Sequence, residues 1–464
     1  MVASNRAIAR SLHSILGEGF VAHVRREVLE ISARYNADVR ASALRRGIPL
    51  QEPETEATNE SAPIIMAGHQ PVVYHPGLLE KTKRLGMIAS QLRAHALNVA
   101  IDTDEGEGGR LLWPLRQGDD IVIKQRSISV GGGLYRDQHV ISKAQSGAVF
   151  TEMIEDLRIS GCVFAIEGAE RAAHLYSALE GESIVVANAL ARRVLCGAVY
   201  HEVPLSLLIE APSLKEFIDR IVRDSERFVD IYNATLESYR REHKIKNPAN
   251  PFPNMITAAD EIELPLWEIV DGVRKAVVVS RAGRIKSANP IAPRGSIVTL
   301  LLRGVCCDLF IHGLGGAKYD QFVNAFAEAY WGVPLPSFVA ASATECLFPD
   351  RVERFLHARE MKANYKQMVS HTGDFIGRGV FSQEDERSLA PLLERRGDLL
   401  QKLQQLHSKE ERSLIAHELN EVNRRVKAAI DSSSVAPLLS EGAIDDARFS
   451  RWACREYPFF LFNT

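Results

Sequence analysis

Apolar residues along this chain recur with two periods, and the switching between them outlines an α/β protein. Residues 5–46 carry apolar positions at helical spacing, and a polar stretch rich in Glu and Thr, 51–61, separates them from the next apolar run. Pro63-Ile64-Ile65-Met66-Ala67 is that run, short, continuous and ended by Gly68, and residues 78–92 return to helical spacing with Lys81, Lys83 and Arg84 on the polar side. Leu97-Asn98-Val99-Ala100-Ile101 repeats the strand signal, which completes a βαβ unit. An alternating segment over 120–130 closes on Gly131-Gly132-Gly133 and predicts a hairpin. Residues 151–246 read as mainly helical, with a break at Pro204 and one long charged helix over 213–246. After Pro248, Pro251 and Pro253, strand-like runs over 263–280 predict a return to the sheet.

The rhythm then repeats. A helix over 296–306, the strand Leu309-Phe310-Ile311, a loop over 312–318, a helix over 319–330 and the strand Ser337-Phe338-Val339-Ala340 come in order. Later, Leu389, Leu392, Leu399, Leu403, Leu406, Leu414, Leu419, Val422 and Val426 recur at near-heptad spacing amid Glu, Arg and Lys, the pattern of a helical hairpin or coiled coil. The predicted fold is α/β: a Rossmann-like parallel sheet with a largely helical insertion and a C-terminal helical hairpin or coiled coil. Its expected parts are an N-terminal helical segment and linker (1–60), a first half of the core (61–150), a mainly helical insertion (151–255), a second half (256–380), the hairpin (381–432) and a C-terminal segment packing back on the core (433–464).

Composition narrows the class without naming it. At 464 residues the chain exceeds one ordinary core, and 46% hydrophobic with 25% charged residues is globular usage. A formal net charge of −3 gives no global attraction to nucleic acid or an anionic membrane. No apolar run reaches spanning length, and residues 1–18, with Arg6, Arg10 and His13, do not read as a signal peptide. The six cysteines show no zinc-ligand spacing, so a cytoplasmic location is expected. Cys306 and Cys307 lie in an apolar run and read as core, as do Trp113, Trp267, Trp331 and Trp452.

Candidate chemistry concentrates where strands end. Gly68-His69-Gln70-Pro71-Val72-Val73-Tyr74-His75-Pro76-Gly77 leaves the first strand and enters a helix, the position at which open α/β sheets bind ligands. His69 and His75 are candidate acid–base groups, with Gln70, Tyr74 and the helix-start N–H groups as binding groups and Lys81 as a cation for the same anion. The bland alternative is that both histidines brace a turn. Asp102, Asp104, Glu105 and Glu107 come after the second strand; carboxylates so crowded need a cation, an amine, ribose hydroxyls or a metal, unless they form a solvated acidic turn. Asp102 and Asp104 are the catalytic candidates there. A nucleotide such as ATP or a divalent metal fits the set, and spacing alone selects neither, so no residue is assigned as a metal ligand.

Arg294 precedes a helix and suits a bidentate contact with carboxylate or phosphate. In His312-Gly313-Leu314-Gly315-Gly316-Ala317-Lys318-Tyr319-Asp320 the glycines allow close backbone approach to a ligand and Lys318 adds charge, which marks His312, Gly315, Gly316, Lys318 and Asp320 as binding candidates. It is not a Walker loop, because no Ser or Thr comes after the Lys.

The order of these loops resembles that of the bacterial cysteine-adding enzymes of bacillithiol synthesis, ligases with a Rossmann-like core related to nucleotidyltransferases and class I aminoacyl-tRNA synthetases. The resemblance spans roughly residues 60–430: Gly68-His69-Gln70 stands where that family has a Gly-Gln-Gln loop, Lys81 matches a helix Lys, and 102–107 replaces an acidic, His-containing loop. Gly315-Gly316, Ser342-Ala343-Thr344 and the late coiled coil keep the order. His75 and Gly77 also look like part of a His-x-Gly-His signature, with Leu78 at the second His position, and Arg284-Ile285-Lys286-Ser287 is a faint echo of Lys-Met-Ser-Lys-Ser. A closer likeness is to uncharacterised bacterial proteins sharing Gly-His-Gln-Pro, His-Pro-Gly, Asp-x-Asp and His-Gly-x-Gly-Gly-Ala-Lys-Tyr-Asp. The resemblance implies a small-molecule ligase or group-transfer enzyme that joins an amino acid to an amine or activates a carboxylate with a nucleotide. The rival readings are a non-catalytic metabolite-binding or assembly protein whose coiled coil contacts a partner, and nucleotidyltransferase-like or metal-dependent phosphoester chemistry; under any of them the heptad stripe packs within a hairpin or against a second copy in a homodimer.

Overall fold

The computed structural model describes residues 1–51, 61–280, 289–441 and 446–462. Five parallel strands, Ile64–His69, His95–Ala100, His201–Pro204, Leu309–His312 and Phe338–Ala340, first to fifth in chain order, form the central sheet in the order 3-2-1-4-5. The first two pair over their whole length, from Ile64↔His95 to His69↔Ala100, and the first and fourth pair from Ile65↔Leu309 to Ala67↔Ile311. The order reverses between the first and fourth strands. In open α/β sheets such a switch point, beyond the strand carboxyl ends, is where ligands bind, because the connections leave the sheet on opposite sides there.

Burial on both faces explains why these strands read as continuous apolar runs. Ile64 and Met66 join Leu97, Val99 and Phe310 in the main core, while Ile65 and Ala67 join Leu309, Ile311 and the helix residues Leu85 and Ala89 on the other face. The helix Pro76–Leu92 covers that second face. Cys306 and Cys307 are buried in the main core, as their apolar run predicts, and burial pushes the Cys306 thiol up to about 12.

Several boundaries differ from the sequence reading. The N-terminal helix is two, Val2–Leu16 and Glu18–Arg45, broken where Gly17 takes φ 95°. The third strand, His201–Pro204, lies inside the stretch read as helical insertion; it is short, carries Glu202 and ends in Pro204, which an edge strand tolerates. The long helix over 213–246 is Pro212–Arg223 and Ser225–Glu242, broken at Asp224. The strand runs after 260 do not rejoin the parallel sheet. Glu261–Val270 and Val273–Ser280 form an antiparallel hairpin over the left-handed pair Asp271 and Gly272, and Ile291–Pro293 completes a separate three-stranded sheet. The hairpin foreseen near 120–130 is Arg110–Gln117 with Asp120–Ser127, while Gly131 ends a further strand, Ser129–Gly131.

Contacts divide the chain into two units, Met1–Glu345 with Arg455–Thr464, and Cys346–Cys454. The second unit holds the helical hairpin, Gln383–Gln405 and Lys409–Asp431, whose seam of Leu389, Leu399, Val422, Val426 and Ile430 is sealed by Met361 and Met368 of the helix Pro349–Ser370. Each hairpin helix starts on a serine that accepts an early backbone N–H, Ser382 from Asp385 and Ser408 from Glu411. The second half of the α/β core therefore ends near 345 rather than 380, and only the end of the 433–464 segment belongs to the sheet-bearing unit. No helix among the described residues is long and apolar enough to cross a membrane.

Candidate functional site

The loop after the first strand is braced at both histidines. His69 Nδ1 lies 3.1 Å from the Gln70 carbonyl, and its ring meets the edge of Tyr74 at 5.6 Å between centroids. Burial, and then the Lys81 charge, hold His69 down at about 3, so the ring stays neutral near pH 7 and is a poor proton donor. His75 is the N-cap of the helix Pro76–Leu92: its Nδ1 accepts the Gly77 N–H at 3.1 Å, and burial lowers its pKa while Glu456 opposes. Gly77 has no room for a side chain, since a Cβ would stand 2.7 Å from the Ala343 carbonyl. Tyr74 is buried beneath the Arg192 guanidinium, 4.2 Å above its ring, and belongs to the support of the loop rather than to its open face.

Lys81 departs from its expected role as an anion's cation. It is 1% exposed and its Nζ donates to the Gly68 carbonyl at 2.7 Å. Ile101 donates to the His69 carbonyl on the second-strand side, so by strand alternation Gly68 faces the fourth strand, whose registered pairing stops at Ile311. The amine thus satisfies a carbonyl left over by the switch point. Burial lowers Lys81 to about 7.

The acidic loop does meet the His loop, and a cation from elsewhere neutralises it. The Gln70 amide donates to Asp104 Oδ2 at 2.9 Å. Arg274, on the strand Val273–Ser280, pairs with Asp104 and, at 3.3 Å, with Glu105. Asp102 is buried and accepts both the backbone N–H (2.8 Å) and the hydroxyl of Ser206, and burial raises it to about 6. It anchors the segment after the third strand. The loop is not a solvated turn: Gln138 bonds the Gly106 carbonyl (2.6 Å) and the Gly108 N–H (2.9 Å), and Tyr135 N–H bonds the Asp104 carbonyl. Among the described residues no three His, Cys, Asp or Glu side chains gather as metal ligands.

Asn188 joins the two loops directly. Its amide donates to the Pro71 carbonyl at 2.7 Å and to the Gly108 carbonyl at 2.9 Å, while its oxygen accepts the Tyr176 hydroxyl at 2.7 Å. Arg192, one turn further along the helix Ile184–Cys196, pairs with Glu202 at 2.5 Å, both 1% exposed, and bonds the Tyr200 hydroxyl at 2.9 Å. Sequence reading passed over Asn188, Arg192, Glu202 and Arg274. The available signal was polar residues four apart in an otherwise apolar helix, and an Arg just past an Asp-Gly turn.

Arg294 is engaged, not open to a substrate anion: it pairs with Glu263 at 2.7 Å, bonds the Leu266 carbonyl at 3.2 Å and lies 3.8 Å over Trp267. The glycine segment is helical rather than a loop, with Gly313 as N-cap of Leu314–Trp331, so Gly315 and Gly316 lie in the first turn. The first intrahelical bond runs from Ala317 N–H to the Gly313 carbonyl, which leaves the N–H groups of Leu314, Gly315 and Gly316 facing outward at an exposed helix start. Lys318 is exposed, whereas His312 and Asp320 are buried and joined, Nε2 to Oδ2 at 2.9 Å. Residues 284–287 lie outside the described residues.

Fold and site together define a Rossmann-like α/β protein in which the polar loops after the first and second strands are bonded to each other. Neither a protein-family model nor a curated protein matches the chain.

Proposed function

We propose that the chain is a small-molecule ligase or group-transfer enzyme, joining an amino acid to an amine or activating a carboxylate with a nucleotide. The observation that carries this reading is a His-bearing loop tied to an acidic loop, leaving a strand whose other neighbour in the sheet leads into the open helix start at Leu314-Gly315-Gly316. Outward N–H groups at a helix start take the oxygens of a phosphate or carboxylate, and the glycines let it approach. Lys318 adds a solvated positive charge on the same helix. The likeness in loop order to the cysteine-adding ligases of bacillithiol synthesis supports the same class of reaction. Metal-dependent phosphoester chemistry is the weaker reading, because Asp102 is committed to Ser206 and Asp104 to Arg274.

The test is a thermal-shift screen of wild type and His75→Ala against ATP, CTP, amino acids and sugar phosphates, since a ligand bound to the folded state alone raises its melting temperature. A nucleotide or amino-acid shift that is reduced in His75→Ala supports the proposal. No shift with any ligand would refute it and favour a non-catalytic assembly role, a reading to which the internal pairing of Arg294 with Glu263 lends weight. The compartment we propose is the cytoplasm, supported by six free cysteines. Homodimerisation through the helical hairpin is likewise a proposal, supported by outward Leu414, 71% exposed.

A further inference from the structure

We infer that His312, oriented by Asp320, is the general base of this site, with its Nδ1 directed at the helix start where the substrate anion lies. The inference rests on the ligase reading for the identity of the nucleophile, an amine. Its geometry stands on three observations.

The first is the carboxylate. Asp320, 2% exposed, accepts on Oδ2 from both the Arg303 guanidinium and His312 Nε2, and Arg303, 1% exposed, also donates to the Pro336 carbonyl. A carboxylate that accepts from a buried guanidinium accepts from His312 as well, so Nε2 carries a hydrogen and, in the neutral imidazole, Nδ1 is the bare nitrogen. The second is the ring's fixed place. It lies between Phe310, 4.6 Å between centroids, and the edge of Phe338 at 4.9 Å, and it is 8% exposed. The third is direction. Nδ1 stands 2.9 Å from where a Cβ on Gly316 would be, so it faces the first turn of the helix, and no described residue bonds it.

The other two histidines lack this arrangement. His69 has its Nδ1 on the Gln70 carbonyl, and His75 has its Nδ1 on the Gly77 N–H. Neither is paired with a carboxylate among the described residues. A carboxylate–imidazole pair with one nitrogen free is the arrangement a base needs, because the carboxylate fixes the tautomer and stabilises the imidazolium that forms.

In the chemical step, the lone pair of a substrate amine attacks the carbonyl carbon of a nucleotide- or phosphate-activated carboxylate, forming the C–N bond. The C–O bond to phosphate breaks and its electron pair leaves with the phosphate oxygen, which the N–H groups of Leu314, Gly315 and Gly316 receive. The amine's proton passes to His312 Nδ1. Asp320 and Arg303 do not change protonation.

Two measurements test this. Imidazole ¹⁵N NMR, with His312 assigned by its loss in His312→Gln, should show a bare Nδ1 and a protonated Nε2 in the free protein; a hydrogen on Nδ1 overturns the inference. With the substrates that the thermal-shift screen identifies, His312→Gln should keep the ligand shifts and lose turnover by about 10²-fold or more. Turnover in His312→Ala should recover with added imidazole, which restoring a merely structural contact would not do. Ligand shifts with turnover within a few-fold of wild type in His312→Gln would overturn the base assignment while leaving the ligase reading intact. A screen with no ligand at all would fail the ligase reading, and the two failures are thereby distinguishable.

Discussion

Replacing Lys81 by methionine should flatten the rise of stability with pH just above neutrality. The amine is 1% exposed, its hydrogen bond among the described residues goes to the Gly68 carbonyl, and the nearby carboxylate of Glu202 is already paired with Arg192. Burial is the first cause of its lowered pKa, about 7 against 10.5 for a free lysine. Between those values the unfolded chain binds a proton that the folded protein does not, so stability rises with pH through this window and is lost as pH falls through the folded value. From about pH 7 to about pH 8.5 the wild type should gain about 1.5 kcal/mol from this group alone. His69 and Asp102 act mainly below this range, while the buried Cys162, Cys306 and Cys307 thiols, raised by burial, oppose the rise as their unfolded counterparts ionise towards about pH 9, so the Lys81 contribution is read as the difference in slope between wild type and Lys81→Met. Urea unfolding at several pH values, followed by intrinsic fluorescence, measures the slope, because Trp113, Trp267 and Trp331 all lie in the sheet-bearing unit. The methionine variant should lose the slope and also about 1–3 kcal/mol, since the Gly68 carbonyl loses its donor. An equal rise in both proteins would show that Lys81 is not the titrating group, and a flat wild type would show that it stays charged when buried.

Asn188→Ala should cost about 3 kcal/mol, because two loop carbonyls and the Tyr176 hydroxyl lose their partner together. Amide exchange should then rise in residues 70–77 and 104–109 at once; a change in one loop alone would contradict the clamp. Gly316→Ala should force the His312 ring from its place at a cost of about 1–3 kcal/mol, read as a lower melting temperature with a shifted imidazole resonance. Glu202→Gln should destabilise by about 3–5 kcal/mol by leaving the Arg192 charge buried and unpaired, and adding Arg192→Met should recover part of that loss. If the double variant proves no more stable than Glu202→Gln alone, the buried charge is not the source of the cost.

The sheet was legible where strands are buried on both faces, since Ile64-Ile65-Met66-Ala67 and Leu309-Phe310-Ile311 are uninterrupted apolar runs. His201–Pro204 escaped the same reading because Glu202 sits at its centre, and a buried carboxylate makes sense only beside the Arg192 that pairs with it. The meeting of the His and acidic loops was also legible, as parallel neighbours place their succeeding loops side by side, and Gln70 bonds Asp104 there. The roles within those loops were not. Lys81 looked like a free cation on a helix face, yet that face is the one turned into the sheet.

From sequence alone, then, came the α/β alternation, the strand ends at which polar loops gather, and the helical hairpin, because each is a periodic pattern of burial over neighbouring residues. Tertiary structure alone decided which charges answer one another. Asp104 is neutralised by Arg274, 170 residues away, while Arg294 turns to Glu263 and Trp267. It also decided that His312 rather than His69 keeps a nitrogen free beside a carboxylate. Such pairings depend on distances of a few ångströms between segments remote in the chain, since Coulomb and hydrogen-bond energies fall steeply over that range, and no local pattern encodes them.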